Sequence, residues 1–287
     1  MAEWYRNIKR YMSGEDVTAV KQRLLELGYL ASANKPRYGD DSYKACKAFQ
    51  SANGLERDGI IGIRTWSALF ADHPAPSVPV PEWISEPYRT QISQALATVS
   101  VVRRDICLEA LRWCVDSNSN PDILRGFYIR GANLYDKDLT LHIMTELRLD
   151  QYFRKSQYEP YFDNGREEMM RRMAKESGYS IVGADCSGMI VGLWRNAKVV
   201  SSGFDSTADN LYGSYCTKVA SPKPGDLAHK SGHIGICVCD NPLLFVASEG
   251  GAYGFQLSGK DRKVMDFRTG KTIKLTKWQH YGDPKCY

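Results

Sequence analysis

The 287-residue sequence lacks a long apolar run and a secretion-type start. No segment approaches the roughly 18 consecutive apolar residues of a membrane-spanning helix. The first residues, Met1–Arg6, lack the basic region and apolar core of a secretory signal peptide. We therefore expect a protein that is made in the cytoplasm without a signal peptide and does not insert into a membrane.

Basic clusters and paired metal-ligand motifs are also missing. The formal net charge is +5, but the Lys and Arg residues are dispersed, which favours a solvated surface over nucleic-acid binding. The eight cysteines include no paired Cys-x-x-Cys motif, so we expect no metal site. The simplest interpretation is a reducing cytosol in which most thiols are buried and free.

A nucleophile pattern occurs in the segment Gly183–Trp194. Cys186 is followed by apolar residues at helical spacing, which predicts a helix pressed against a core. Asp185 is a typical helix cap and places Cys186 in the first turn. The partial positive charge of a helix N-terminus favours a thiolate, and its free N–H groups can hold an oxyanion.

A base pattern follows about fifty residues later. Pro224-Gly225-Asp226 predicts a turn, and the alternation from His233 to Val238 predicts a strand that begins at the histidine. A cysteine on a helix start and a histidine on a strand are the arrangement that a papain-like nucleophile and base require. His229 is a competing base, which on the same strand would share a face with His233; we interpret it as a cleft-wall or surface residue.

The organisation around these motifs predicts two domains. Three short helical patterns occupy residues 11–70 and are separated by glycine turns. Five of the twelve prolines fall between residues 72 and 87, which is typical of a semi-rigid linker. From Arg89 onward helices come first and strands afterwards, which indicates an α+β fold. We predict an all-α domain over 1–71, a linker over 72–88 and a catalytic domain over 89–287.

Three motifs together resemble the NlpC-type papain-like cysteine peptidases that cut bacterial cell-wall peptides: Asp185-Cys186-Ser187-Gly188, Pro224–Leu227 and Gly232–Ile236. The resemblance implies helices packed on an antiparallel sheet, with Cys186 as nucleophile and His233 as base. It also implies that Asp185, Ser187 and Tyr128 contact the stem peptide. Tyr128 stands in the family's Tyr-x-x-Gly-Gly segment, whose second glycine is Ala132 here.

Two departures from the family concern the third catalytic residue and an insertion. Val246 occupies the place of the family's polar third residue, and valine cannot orient an imidazole. Glu249 is chemically suitable, and we predict that a one-residue bulge brings it to His233. Residues 132–183 form an insertion, which either borders the cleft and shapes substrate choice or decorates the surface.

Residues 11–70 are similar to the small three-helix peptidoglycan-binding module. The match includes Gly14–Val17, Leu27–Leu30, Ala48–Gln50 and Asp58–Gly62. Most matching residues are expected to be core or loop backbone. Tyr38, Asp58 and Thr65 are the candidates for contact with the wall.

These resemblances imply a phage endolysin-like peptidoglycan hydrolase that needs no cofactor. The expected bond is γ-D-glutamyl to the diamino acid of the stem peptide, and access to the wall implies a separate holin-type pore. The alternatives are a host autolysin exported by another route, an N-acetylmuramoyl-L-alanine amidase or an acyltransferase on the same scaffold, and a wall-binding protein with a decayed catalytic domain. Nothing in the motifs bears on the oligomeric state.

Overall fold

The computed structural model describes residues 6–70, 78–116, 123–154 and 165–287. The chain divides into two compact units, Met1–Pro79 and Val80–Tyr287. Within the described ranges, no helix is long and apolar enough to cross a membrane.

The first unit contains the three predicted helices: α1 (Glu15–Glu26), α2 (Asp40–Ala52) and α3 (Ile63–Leu69). The apolar stripe of α1 is fully buried, as the spacing of Val17, Val20 and Leu24 predicts. Phe49 of α2 and Trp66 of α3 are each 3% exposed. The three helices therefore share one small apolar core.

The predicted linker differs from the structure in its second half. Residues 72–77 lie outside the described residues, whereas residues 80–88 pack within the second unit. Ile84 is fully buried, and Trp83 donates a hydrogen bond from Nε1 to the Cys114 carbonyl oxygen at 3.1 Å. The backbone N–H of Ser85 donates to the Asp116 carboxylate at 3.1 Å. The linker therefore ends before residue 80 and does not extend to residue 88 as predicted, because the second unit buries the apolar side chain of Ile84 and binds Trp83.

The second unit combines helices with a seven-stranded sheet, as the α+β prediction requires. Its helices are α4 (Tyr88–Leu96), α5 (Val101–Trp113), α6 (Glu146–Phe153), α7 (Arg166–Glu176), α8 (Cys186–Asn196) and α9 (Ala208–Tyr215). Its strands are β1 (Val115–Asp116), β2 (Gly126–Tyr128), β3 (Val182–Ala184), β4 (Cys216–Val219), β5 (Leu227–Lys230), β6 (His233–Asp240), β7 (Leu243–Glu249), β8 (Gly254–Gly259), β9 (Lys263–Asp266), β10 (Lys271–Lys274) and β11 (His280–Pro284).

The main sheet has the strand order β1-β8-β7-β6-β5-β11-β4. All neighbours in it are antiparallel except β1 and β8, which run parallel. The strands β9 and β10 form a separate hairpin, and β2 pairs with β3 in parallel. The strands predicted from His233 and from Leu243 are confirmed. His229 does not share a strand with His233, because a turn separates β5 from β6.

Helix α8 packs against β6 and β7, which places its first turn at one end of these strands. Its apolar residues Met189, Ile190 and Trp194 are fully buried. A Cβ atom at Gly188 would lie 1.9 Å from the Ala132 carbonyl oxygen. The chain of the insertion therefore crosses α8 at a distance that only glycine allows.

The described parts of the insertion 132–183 contribute side chains to a buried core instead of lying on the surface as decoration. Met144, Leu149 and Met170 are at most 1% exposed and belong to one apolar cluster. The same cluster includes Ala252 and Phe267 from the strand-rich half of the unit. Residues 132–154 and 165–183 are consequently an integral part of the second unit.

Candidate active site

Asp185 begins α8 as the predicted helix cap. Its Oδ1 accepts hydrogen bonds from the Gly188 backbone N–H at 2.7 Å and from the Ser187 hydroxyl at 2.9 Å. Its Oδ2 accepts the Gly131 backbone N–H at 2.8 Å. Asp185 and Ser187 therefore fix the first turn of the helix, and Asp185 also holds the backbone at Gly131, just before the insertion. Their contact with a stem peptide stays a prediction.

Cys186 follows this cap, with its thiol held against the backbone on both sides of His233. Its Sγ lies 3.8 Å from the Gly232 carbonyl oxygen, and the Ile234 backbone N–H donates to the sulfur. Cys186 is 6% exposed. Burial and the Asp185 carboxylate raise the pKa of the thiol to about 11, against the opposing backbone N–H groups of Ile234 and Ser187. The expected stabilisation of a thiolate by the helix N-terminus is therefore outweighed in this state.

Glu249 meets His233 through regular strand pairing. On β6 and β7, Ile236 pairs with Val246 and Cys237 with Phe245, and the same register extended three positions sets His233 opposite Glu249. The register shift lies between Cys237 and Cys239, at the other end of the hairpin. The predicted bulge before the glycines is therefore wrong, although Glu249 does lie beside His233.

The His233 ring and the Glu249 carboxylate are in direct contact. His233 Nε2 lies 2.9 Å from Glu249 Oε2, without the alignment of a hydrogen bond. Glu249 is 1% exposed and also accepts a hydrogen bond from Arg262 Nη2 at 2.6 Å. Burial disfavours the charged carboxylate, but His233 and Arg262 outweigh it and lower the pKa of Glu249. Glu249 is thus a buried anion that can stabilise an imidazolium.

Arg262 and Trp278 complete this cluster and are absent from the sequence prediction. Arg262 is 1% exposed and pairs with Glu249. The Trp278 ring stacks on the His233 ring with centroids 5.2 Å apart and planes at 3°, and the Arg262 guanidinium lies 4.2 Å from the same indole. One feature of the sequence, a glycine within a strand, indicates a close contact at this position. Gly235 interrupts β6, and a Cβ there would lie 3.0 Å from Trp278, so this strand glycine marks a close approach without naming its partner.

Neither Val246 nor His229 contacts the His233 ring as a polar partner. Val246 is fully buried and pairs with Ile236, as expected of a residue that cannot orient His233. His229 lies on β5, where its Nε2 is 2.8 Å from Asp209 Oδ1, and it stacks on Tyr212. The same Asp209 oxygen accepts the Gly232 backbone N–H at 2.8 Å. His229 is therefore buried beside the turn that precedes His233, and it is not a surface residue.

Tyr128 reaches the start of α8 through the short β2–β3 pair. It pairs with Ala184, two residues before the nucleophile. Burial and the neighbouring Cys186 and Asp185 raise the pKa of its hydroxyl. The structure therefore brings Tyr128 to the predicted nucleophile. No hydrogen bond joins the side chains of Cys186 and His233 among the described residues.

A cleft of about 500 Å³ opens beside His233 and Glu249, a volume typical of small-ligand sites. Its walls come from α7, the β5–β6 turn, the glycine turn after β7 and the segment at Leu275. Across the described ranges, no group of three or more His, Cys, Asp and Glu side chains could hold a metal ion.

The helical unit places two of the three predicted wall-binding residues in its interior. Tyr38 is fully buried and donates a hydrogen bond to the Gly59 carbonyl oxygen at 3.1 Å, and Thr65 is 4% exposed. Both residues fill the core, so their prediction as wall contacts is not supported. Asp58 is exposed, and its Oδ1 accepts from Gln50 Nε2 and from the Ile60 N–H, each at 2.8 Å. A role for Asp58 in wall binding stays a prediction.

Residues 13–69 match the family model described as "Putative peptidoglycan binding domain". The three-helix unit is therefore similar to peptidoglycan-binding domains. The search of solved structures found the crystal structure of the Burkholderia AP3 phage endolysin, at 22% identity over 60% of this chain. This chain spans 63% of the endolysin chain, and a TM-score of 0.23 is too low to indicate a shared fold. No curated protein matches the chain.

The raised pKa of Cys186 makes a specific prediction for alkylation of its thiol. The rate of Cys186 carboxamidomethylation by iodoacetamide is expected to rise about tenfold per pH unit from pH 7 and level off near the thiol pKa of about 11. Mass spectrometry of the Cys186 peptide separates this site from the other seven cysteines. A plateau already at neutral pH would show a preformed thiolate–imidazolium pair and contradict the prediction.

Proposed function

We propose that this protein is an endolysin-like peptidoglycan hydrolase that cleaves stem peptides with Cys186 as nucleophile and His233 as base. The observation that carries the proposal is the Cys186 thiol on the start of α8, held on the backbone at either side of His233. The ring of that histidine contacts the buried Glu249. The peptidoglycan-binding module supports peptidoglycan as the partner.

The reaction follows from the protonation states at the site. Glu249 lies at Nε2 of His233, so Nδ1 is the ring nitrogen available to the thiol. Because the pKa of Cys186 is raised, the thiol is protonated until His233 takes its proton as sulfur attacks the carbonyl. Side chains of this kind often come into hydrogen-bond reach only in the substrate complex.

The remaining steps return the enzyme to its starting state. The tetrahedral oxyanion is held by backbone N–H groups at the start of α8, including that of Cys186. His233 then protonates the leaving amine, and a thioester forms. Water, deprotonated by His233, attacks the thioester and releases the carboxylic acid and the thiol. Glu249 stabilises the imidazolium at each protonated stage. The influence of Cys186 on the pKa of the Tyr128 hydroxyl supports a contact of Tyr128 with the substrate beside the sulfur.

Two units on one chain suit an insoluble substrate. Attachment through the peptidoglycan-binding module raises the effective concentration of stem peptides at the catalytic unit. We propose that the protein acts at the cell wall after release through a separate membrane pore.

The test is digestion of purified diaminopimelate-type and lysine-type peptidoglycan, with the products identified by mass spectrometry. We expect cleavage between γ-D-glutamate and the diamino acid. Cleavage at the lactyl–alanine bond would assign the amidase reaction instead. Wall binding without any cleavage would contradict the hydrolase proposal and favour a decayed catalytic domain.

A further inference from the structure

Arg166 lies in the wall of the cleft and forms no ion pair within the part of the chain that the structure describes. It begins α7, within the insertion, and lines the same cleft as His233 and Glu249. It is half-buried, its Nε is buried without a hydrogen-bond partner, and no described residue forms an ion pair with it. A Cβ atom at Gly251 would lie 3.0 Å from Arg166 Nη2, so the guanidinium rests on the glycine turn after β7.

The charges that line this cleft do not balance. Among the described residues that line the cleft, Glu249 is the acidic one, and its carboxylate already contacts both Arg262 and His233. Lys230 lines the cleft as well and has no ion-pair partner among the described residues. Two cations, Arg166 and Lys230, are thus left without an anion.

Asp266 is close enough to favour the charged form of Arg166 but forms its ion pair with another arginine. Asp266 pairs with Arg268, with Oδ2 and Nη2 at 2.8 Å. Burial and the charge of Arg268 lower the pKa of Arg166, so the surroundings disfavour its charged form. A half-buried guanidinium in such surroundings gains most from a bidentate anion.

We propose that Arg166 and Lys230 form a subsite for a free carboxylate of the stem peptide, next to the bond that is cut. The proposal rests on the function proposed above and adds a substrate preference to it. Stem peptides carry free carboxylates on D-glutamate and on the diamino acid, and both occur in nature as neutral amides. A subsite of this kind makes the enzyme select walls by their state of amidation.

The inference can be tested by calorimetric binding of synthetic stem peptides to the full chain carrying Cys186→Ala, which does not require cleavage. Four peptides combine a carboxylate or an amide on D-glutamate with a carboxylate or an amide on diaminopimelate. Arg166→Gln is expected to weaken binding of the peptide that bears the recognised carboxylate about 10- to 100-fold. Amidation of that same carboxylate is expected to weaken binding equally, and the two losses should not add.

Two variants sharpen the comparison. Arg172→Gln makes the same chemical change on the same helix, at a surface residue that pairs with Glu176, and should leave the selectivity unchanged. Lys230→Gln should weaken binding of the same carboxylate peptide, which tests the subsite without altering α7. The position whose amidation removes the effect identifies D-glutamate or diaminopimelate as the source.

Equal loss for all four peptides, or no loss, in Arg166→Gln would overturn the inference. Cleavage of peptidoglycan by the enzyme with Cys186 is measured separately. Cleavage without carboxylate selectivity would contradict the subsite and support the hydrolase function. Selective binding without cleavage would support the subsite and contradict the hydrolase function.

Discussion

Replacement of Cys186 by alanine is expected to lower the rate of peptidoglycan cleavage on the order of 10⁶-fold, the loss typical for removal of a catalytic nucleophile. The reason is that the variant keeps His233 and the backbone N–H groups but has no atom that can form the thioester. The fold should survive, because Asp185 still caps α8 and the thiol contributes only one small buried atom. Release of soluble muropeptides, measured by chromatography and mass spectrometry, reports the rate.

Cys286→Ala provides the matched control. Cys286 is a free, half-buried cysteine outside the cluster around His233, and its removal should leave cleavage unchanged. Wall binding by the Cys186→Ala variant should equal that of the wild type, since we propose that residues 13–69, which match the peptidoglycan-binding family model, bind the wall. Residual cleavage above about 1% in Cys186→Ala, with circular dichroism unchanged, would point to a different nucleophile.

Conversion of Glu249 to glutamine is expected to lower kcat/KM by about 10²–10⁴-fold. Glutamine keeps the size of the side chain but removes the charge that stabilises the His233 imidazolium. It also leaves the buried Arg262 without its anion, and loss of one partner from a buried ion pair costs about 3–5 kcal/mol. Kinetics on a synthetic stem peptide and urea denaturation separate the two effects, and Glu249→Asp should restore part of both.

The same variant should change the response of stability to acid. The pKa of Glu249 is lower in the folded protein than in the unfolded chain, where glutamate titrates near about 4.3. This carboxylate therefore stabilises the fold above that pH, and the stabilisation is lost as the pH falls through the lower folded pKa. Glu249→Gln lacks this component, so its free energy of unfolding should fall less steeply below about pH 4.3 than that of the wild type.

Glu176→Gln is the control for both measurements with Glu249. Glu176 forms an exposed pair with Arg172, and this change should leave kcat/KM and the acid response near those of the wild type. If Glu249→Gln behaved like Glu176→Gln, the buried ion pair would have no part in catalysis.

The predictions that were confirmed concern features that short stretches of sequence determine. The apolar spacing after Cys186 and the capping acid before it specify α8, and the alternation after His233 specifies β6. The three helices of the first unit follow from the same periodicity, interrupted by glycine turns.

The features that sequence reasoning missed depend on residues that are distant in the chain. The stacking of Trp278 on His233 requires a sheet in which β11 lies beside β5, an order that differs from that of the strands in the chain. Local patterns do not carry that order. Arg262 reaches Glu249 from the segment between β8 and β9, and no local pattern specifies that contact. Tyr38 and Thr65 were misplaced for a related reason: tyrosine and threonine suit a ligand surface and a core equally, and only packing decides between them.

The position of the last described strand has a consequence for synthesis on the ribosome. β11 lies between β5 and β4 in the main sheet, and Trp278, just before it, forms one side of the His233 environment. The sheet therefore stays open until residues 280–284 have left the exit tunnel. Cys186 and His233 are both synthesised earlier. Their surroundings become complete only when Trp278 and β11 join the sheet. A chain arrested before residue 278 is therefore expected to lack the assembled catalytic centre.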